Sequence, residues 1–327
     1  MPKIRMIDIA EHCGVSKAAV VRALNRPVER SELRPETWAR IRAAAEALGY
    51  RADWRARALA GGRSHTIGLL YDGLYPPLQG FPGRITAEIA RFLSEASYDL
   101  LLLPTDREGW REKLVDRRCD AAVIVGEVPL AIDGSEPLPL PVVTVNARGR
   151  NPYPRVEPDD AGGATLAVAH LRDLGHRRIA YFGELPSRRR AHPSAQARHQ
   201  GYRDAMRAAR LTPQVFPDLD SLEAILGQAA LRPTAIVAYT DAGAARIMQS
   251  AYRRGLRVPD DLSLIAFNDD PEGALLSPPL TTIALPIQPM GRAAADLVLR
   301  LLDGDPDVPP VTAIAEDLRL RESTATV

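Results

Sequence analysis

At 327 residues, 46% of them hydrophobic, the chain is too long for one small domain and apolar enough to bury two or three cores. No apolar run reaches the roughly 18 residues of a membrane span, and charges from Lys3 onward interrupt the place where a secretory signal would put its apolar stretch. Cys13 and Cys119 read as reduced, packed thiols far apart in sequence, so the expectation is a cytoplasmic protein with no membrane contact. The net charge of +1 is unevenly placed: residues 1–63 carry 13 Lys+Arg against 7 Asp+Glu, and the remainder 29 against 34. A basic head on an acidic body suits a nucleic-acid contact at one end, although a solvated helical surface gives the same balance.

The first legible pattern is Ile7–Asn25, IDIAEHCGVSKAAVVRALN. Ile9 and Ala10 face inward on a first helix. Gly14 supplies a tight turn, because glycine takes φ > 0 without steric cost. Ser16 is the N-cap of a second helix, which Val20 and Leu24, one turn apart, pin to a core. That leaves Lys17, Ala18 and Arg22 on the opposite face, the side that a major groove can meet. A third helix follows, with Pro35 in its first turn, Trp38, Ile41, Ala45 and Leu48 at helical spacing, and Gly49 as C-cap. An ordinary small helical bundle would share most of these features.

The register of the whole segment resembles the DNA-binding headpiece of the LacI/GalR family of bacterial transcriptional regulators. Asp8, Ala10, Gly14, Val15, Ser16, Val20, Arg22, Leu24 and Asn25 carry the likeness, then Leu48, Gly49 and Tyr50, then Ala56, Arg57 and Leu59. The resemblance implies that Ser16, Lys17, Ala18, Arg22 and Asn25 meet double-stranded operator DNA. Lys17 and Arg22 would bond base edges, and Ala18 would touch a thymine methyl. It makes residues 51–63 a hinge helix that orders on DNA, with Leu59 wedged into the minor groove and Ala56 one turn before it; Leu59 packed on the body is the alternative. The family has hydroxyl residues where this chain has Ala19 and Val21, and those hydroxyls bind phosphates. Their loss removes bonds of about 0.5–1.5 kcal/mol each. Two heads on a pseudo-palindrome imply a homodimer.

From His65 the pattern changes to strand and helix in alternation. Strands are predicted at Ile67–Tyr71, Leu100–Leu103, Ala121–Val125, Val142–Val145, Ile179–Phe182, Ala235–Tyr239, Leu262–Phe267 and Thr281–Leu285. Helices fall at Arg84–Ala96, Gly162–Leu174 and Pro289–Leu302, and the proline-rich residues 129–141 read as a surface loop. The fold class is α/β, with parallel sheets covered by helices. So many strands in this length favour two sheets over one.

The resemblance runs through this part too, in HLRDLGHRRIAYFG (His170–Gly183), VPDDLSLIAFND (Val258–Asp269), SPPLTTI (Ser277–Ile283), MGRAAADL (Met290–Leu297) and LRLRES (Leu318–Ser323). It implies a two-lobed, periplasmic-binding-protein-like core with three crossing strands and a ligand cleft. The domain plan is then a head at 1–50, a linker at 51–63 and a core at 64–327. Lobe one takes about 64–162 and 290–318, and lobe two about 163–289 and 319–327.

Ligands of open α/β sheets sit at the carboxyl ends of strands, which directs attention to Thr240 and Asn268. In the family the position of Asn268 bonds the effector; local turn bonding is its alternative. Arg198, in the family's R-x-x-G-(F/Y/W) pattern, is a ligand-binding guanidinium or an exposed cation at a helix start. Phe81, within QGFPGRI, stacks on a sugar face or joins the core. Asp159 and Asp160 stand where the family has an Asp-Asn pair and read as structural. The implied effector is a small molecule of sugar type, or an anionic one if the basic loop of Arg188, Arg189, Arg190 and His192 turns inward. No phosphate loop, nucleophile elbow or metal spacing is present. The expectation is therefore no cofactor, no metal and no enzyme: an effector-controlled regulator that represses transcription.

Overall fold

The computed structural model describes residues 4–50, 63–71, 80–129, 138–149, 151–183 and 192–327. They fall into two compact units, residues 1–66 with 117–120, and the remainder. The linker positions Ala56 and Leu59 and the basic run Arg188–Arg190 lie outside the described residues.

The head consists of α1 (Met6–Cys13), α2 (Lys17–Asn25) and α3 (Pro35–Ala47). The Asp8 carboxylate accepts the Arg5 backbone N–H at 2.7 Å and opens α1. Gly14 closes it at φ +62°, and the Ser16 hydroxyl takes the Ala19 N–H at 3.2 Å. Ile9, Val20, Ala23 and Ile41 are fully buried between the three helices. Ala19 packs beside them and is 7% exposed.

The core begins with β1 (Thr66–Tyr71), α4 (Gly80–Glu95), β2 (Asp99–Pro104), α5 (Trp110–Val115), β3 (Ala121–Glu127), β4 (Val142–Arg148) and β5 (Arg155–Pro158). It continues with α6 (Asp160–Asp173), β6 (Ile179–Phe182), α7 (Pro193–Ala208), β7 (Gln214–Phe216), α8 (Leu219–Leu226), β8 (Ala235–Ala238) and α9 (Asp241–Arg253). Last come β9 (Ser263–Asn268), β10 (Thr281–Ala284), α10 (Ile287–Leu302), β11 (Val311–Ile314) and β12 (Asp317–Arg319).

Two six-stranded sheets result, in the orders β11-β5-β4-β3-β1-β2 and β12-β10-β9-β8-β6-β7. The central strands are buried on both faces, as in VIV of β3 and AIVA of β8, because helices cover both sides of a parallel sheet. β12 pairs antiparallel against β10. The chain passes between the sheets three times: from β5 into α6, from β10 into α10, and from β11 into β12. The α10 residues Ile287, Met290, Ala294 and Val298 fill the core of the first sheet.

Two glycines allow α6 to seat closely. A Cβ on Gly201 of α7 would lie 2.7 Å from the Ala161 carbonyl oxygen, and one on Gly163 would fall on the Glu316 carboxylate. Backbone is the obstacle at Gly201, so the two helices would have to separate. Gly201→Ala should cost about 1–3 kcal/mol, read as a lower urea midpoint at unchanged slope; a midpoint equal to that of the parent would refute the close seating.

Candidate DNA-reading face and effector cleft

On the head, α2 presents Ser16, Lys17 and Ala18 to solvent, with Arg22 half-buried beside them. Asn25 ends the helix, and its side chain is outside the described set. Helix α3 fixes the far end of α2: Trp38 Nε1 donates to the Arg26 carbonyl at 3.0 Å and Arg42 Nε to that of Ala23 at 3.3 Å. The Arg42 guanidinium also stacks 4.6 Å above the Trp38 ring. Two donors on the last carbonyls of α2 hold the helix at a set angle.

In the core, Arg198 and Asn268 come together. Arg198 sits in the second turn of α7 and is 2% exposed, so the reading of it as an exposed helix-start cation is wrong. Its Nε donates to Asp160 Oδ1 at 2.5 Å, and its Nη1 to the Tyr239 carbonyl at 2.9 Å and to Asn268 Oδ1 at 3.1 Å. The Phe267 ring lies 4.3 Å from the guanidinium carbon. Burial works against charge on Arg198, but Asp160 and Glu316 more than offset it and hold its pKa above the usual value.

Glu316 lies in the crossing from β11 to β12. Its carboxylate has no hydrogen-bond partner among the described residues, and Arg198 Nη2 is 3.8 Å away. Burial pushes its pKa up to about 8 against the pull of Arg198. Asp160 and Asn268 therefore both serve Arg198, one as counterion and one as hydrogen-bond partner. Asp160, read from sequence as merely structural, is part of the site.

Asn268 has φ +106° and Asp269 φ +54°, an uncommon backbone for non-glycine residues. The turn is held from several sides. Arg321 Nη2 bonds Asp269 Oδ1 at 2.6 Å, and the Asp270 N–H donates to Asp241 Oδ2 at 2.6 Å. Arg84 Nη1, on α4 of the other sheet, donates to the Asp269 carbonyl at 2.8 Å and to that of Asn268 at 3.3 Å. It also lies 3.5 Å from Asp270 Oδ1. Burial raises the Asp270 pKa against the pull of Arg84. A second link joins the lobes: Ser194 Oγ donates to Asn146 Oδ1 at 3.0 Å, and His192 Nε2 to the Asn146 carbonyl at 3.1 Å.

The other predicted positions are less central. The Thr240 hydroxyl caps α9 by accepting the Gly243 N–H at 3.1 Å. Phe81 opens α4 one turn before Arg84 and packs half-buried against the first core. The sequence reading missed Arg84 and Glu316. Arg84 was visible as a cation beside Phe81, but only the fold brings it 184 residues along the chain to Asn268. Among the described residues no group of side chains is suited to hold a metal ion, and no helix is long and apolar enough to cross a membrane.

Comparison with known proteins places these two parts together. Residues 5–53 match the family of bacterial regulatory proteins of lacI type, and residues 168–324 match the periplasmic binding protein-like domain. The HTH-type transcriptional regulator GalR of Escherichia coli K12 is 30% identical over 94% of this chain and 91% of its own. An HTH-type transcriptional regulator in the aml 5' region of Streptomyces limosus is 32% identical over 90% and 87%. Among solved structures, the Lac repressor dimer bound to operator and the anti-inducer ONPF superposes with a TM-score of 0.79 over 99% of this chain and all of that one; at 23% identity it speaks to the fold alone. A LacI family transcriptional regulator from Mycobacterium smegmatis reaches 0.62 at 28% identity over 79% of this chain and 99% of that one. With identity of this order running through head and core alike, the chain belongs to the LacI/GalR family of bacterial transcriptional regulators.

Proposed function

We propose that this regulator is a cytoplasmic repressor that binds a pseudo-palindromic operator as a homodimer and responds to a neutral, polyhydroxylated small molecule held between the two lobes. No catalytic step or cofactor enters this reading. The observation that carries it is the meeting of Arg198 and Asn268 at the carboxyl ends of β8 and β9, where open α/β sheets take their ligands. Ser16, Lys17, Ala18, Arg22 and Asn25 contact DNA, and residues 51–63, with Ala56 and Leu59, enter the minor groove between the half-sites. Phe81, Arg198, Thr240 and Asn268 contact the effector, in a core whose lobes follow the boundaries expected from sequence.

The charge pattern supports a neutral effector. Arg84 faces Asp270, Arg148 is bonded to Glu127, Arg198 to Asp160 and Arg321 to Asp269. Each guanidinium already has its carboxylate, so an anion would gain little net attraction, while hydroxyls can share the remaining lone pairs and N–H groups.

Genomic fragments retained on the purified protein at about 150 mM salt, where nonspecific binding is weakened, should share a palindrome. Arg22→Ala should lose about 1–3 kcal/mol of affinity for it per half-site; equal retention by parent and variant would refute the reading of α2.

Neutral pentoses, hexoses and disaccharides should raise the melting temperature of the parent protein, as any ligand of the native state must, and Arg198→Lys should abolish the shift. A response confined to sugar phosphates or carboxylates would reverse the assignment.

Glu316 sets a pH dependence. Its ordinary pKa is 4.5 and its folded value about 8, so between those limits the folded protein holds a proton that the unfolded chain has released. Stability must fall as pH rises across that window and level off outside it. Glu316→Gln should flatten this part of the profile; parallel profiles for parent and variant from pH 5 to 8.5 would show that Glu316 does not titrate there.

A further inference from the structure

Arg22, the arginine of the reading helix, is already engaged within the head. Its Nη1 donates to Glu32 Oε2 at 3.4 Å, and Arg26 Nη1 lies 4.0 Å from the other oxygen of the same carboxylate. The Nε atom of Arg22 is buried, with no hydrogen-bond partner among the described residues. The side chain thus shares one of its outer nitrogens with an exposed carboxylate, and its inner nitrogen is turned away from solvent.

Glu32 is placed there by the backbone. Its φ is +56°, a left-handed conformation that a long side chain adopts only when its surroundings demand it. The demand comes from its neighbours. Ser31 is completely buried; its hydroxyl donates to the Val28 carbonyl at 2.8 Å and accepts the Leu33 N–H at 3.3 Å. Leu33 packs against the core of the head. The segment from Val28 to Leu33 is therefore locked on both sides of Glu32, and the lock turns its carboxylate toward Arg22 and Arg26.

We propose that Glu32 is a specificity-determining residue, which aims Arg22 at a guanine and discourages its use on phosphate. The proposal rests on the reading of α2 as the DNA-reading helix. One N–H of Nη1 belongs to Glu32, and the outer N–H groups of the two terminal nitrogens remain as a parallel fork. That fork matches the O6 and N7 acceptors of guanine in the major groove. An arginine without this tether can swing to any nearby phosphate, which adds affinity without sequence information. The carboxylate also repels the DNA backbone, so it weakens every complex in which Arg22 does not gain a base in return. Both effects favour discrimination over raw affinity.

The test compares the full-length parent with Glu32→Gln and Glu32→Asn. Gln keeps the shape and removes the charge; Asn suits positive φ and guards against a variant that fails through strain. Each protein is selected against a random-sequence duplex library, and its affinity for one arbitrary duplex is titrated in parallel. The expected result is several-fold tighter binding of the arbitrary duplex by both variants, together with loss of guanine preference at one position of each half-site. A consensus that stays intact while affinity for all duplexes rises alike would overturn the proposal, leaving Glu32 as bulk charge. If the parent itself retains no consensus and Arg22→Ala binds no differently, the DNA-reading role of α2 fails, and the role of Glu32 with it.

Discussion

A guanidinium that is fully buried must be neutralised where it stands, and Asp160, which the chain supplies as it passes between its two sheets, neutralises Arg198. Asp160 is the first residue of α6, just beyond the first crossing, and Glu316 lies within the third. Removing one partner of such a pair leaves an uncompensated buried charge, at a cost of about 3–5 kcal/mol. The first crossing is thus held at one spacing from α7 by a charge requirement as well as by chain connectivity. The close seating of Gly163 on Glu316 and of Gly201 on Ala161 follows from the same spacing, because any side chain at either glycine would push α6 away from the cluster.

The head works under a different constraint. With about 50 residues it has little apolar area to bury, and domains of that size are marginal. Its stability is spread over caps and tethers: Asp8 and Ser16 at helix starts, Trp38 and Arg42 on the last carbonyls of α2, and Ser31 inside the turn that follows. Two of these contacts, from Trp38 and Arg42, also fix how α2 is set on the rest of the head.

Much of the fold was legible in the sequence because its signals are local. Largely hydrophobic runs of four to six residues marked eight strands, since a strand buried on both faces has to be mainly apolar. The four strands not foreseen, β5, β7, β11 and β12, have three or four residues, and all but β5 stand at a sheet edge, where one face or end meets solvent and charged residues are tolerated. Helix α7 was hidden for a similar reason. Its buried side comes down to Ser194, Ala195, Arg198, Gly201, Tyr202 and Met206, half of which carry no apolar signal. The site was legible in part. Arg198 and Asn268 were named from pattern, but their bond was not, and Asp160, Glu316 and Arg84 became members only through contacts that span from 38 to 184 residues.

The contacts around Asn268 explain how a ligand between the lobes can be felt elsewhere. Asp160 holds Arg198, Arg198 holds the Asn268 side chain, and Arg84 of the other sheet donates to the backbone of the same turn. A molecule that competes for Asn268 or Arg198 changes the balance along the whole series, from the crossing strand to the opposite lobe. Coupling between sites of this kind is typically about 1–3 kcal/mol and is reciprocal. The links are single hydrogen bonds to charged groups, individually worth about 1.5–3 kcal/mol, so the exchange of one of them for a bond to the ligand is enough to supply it.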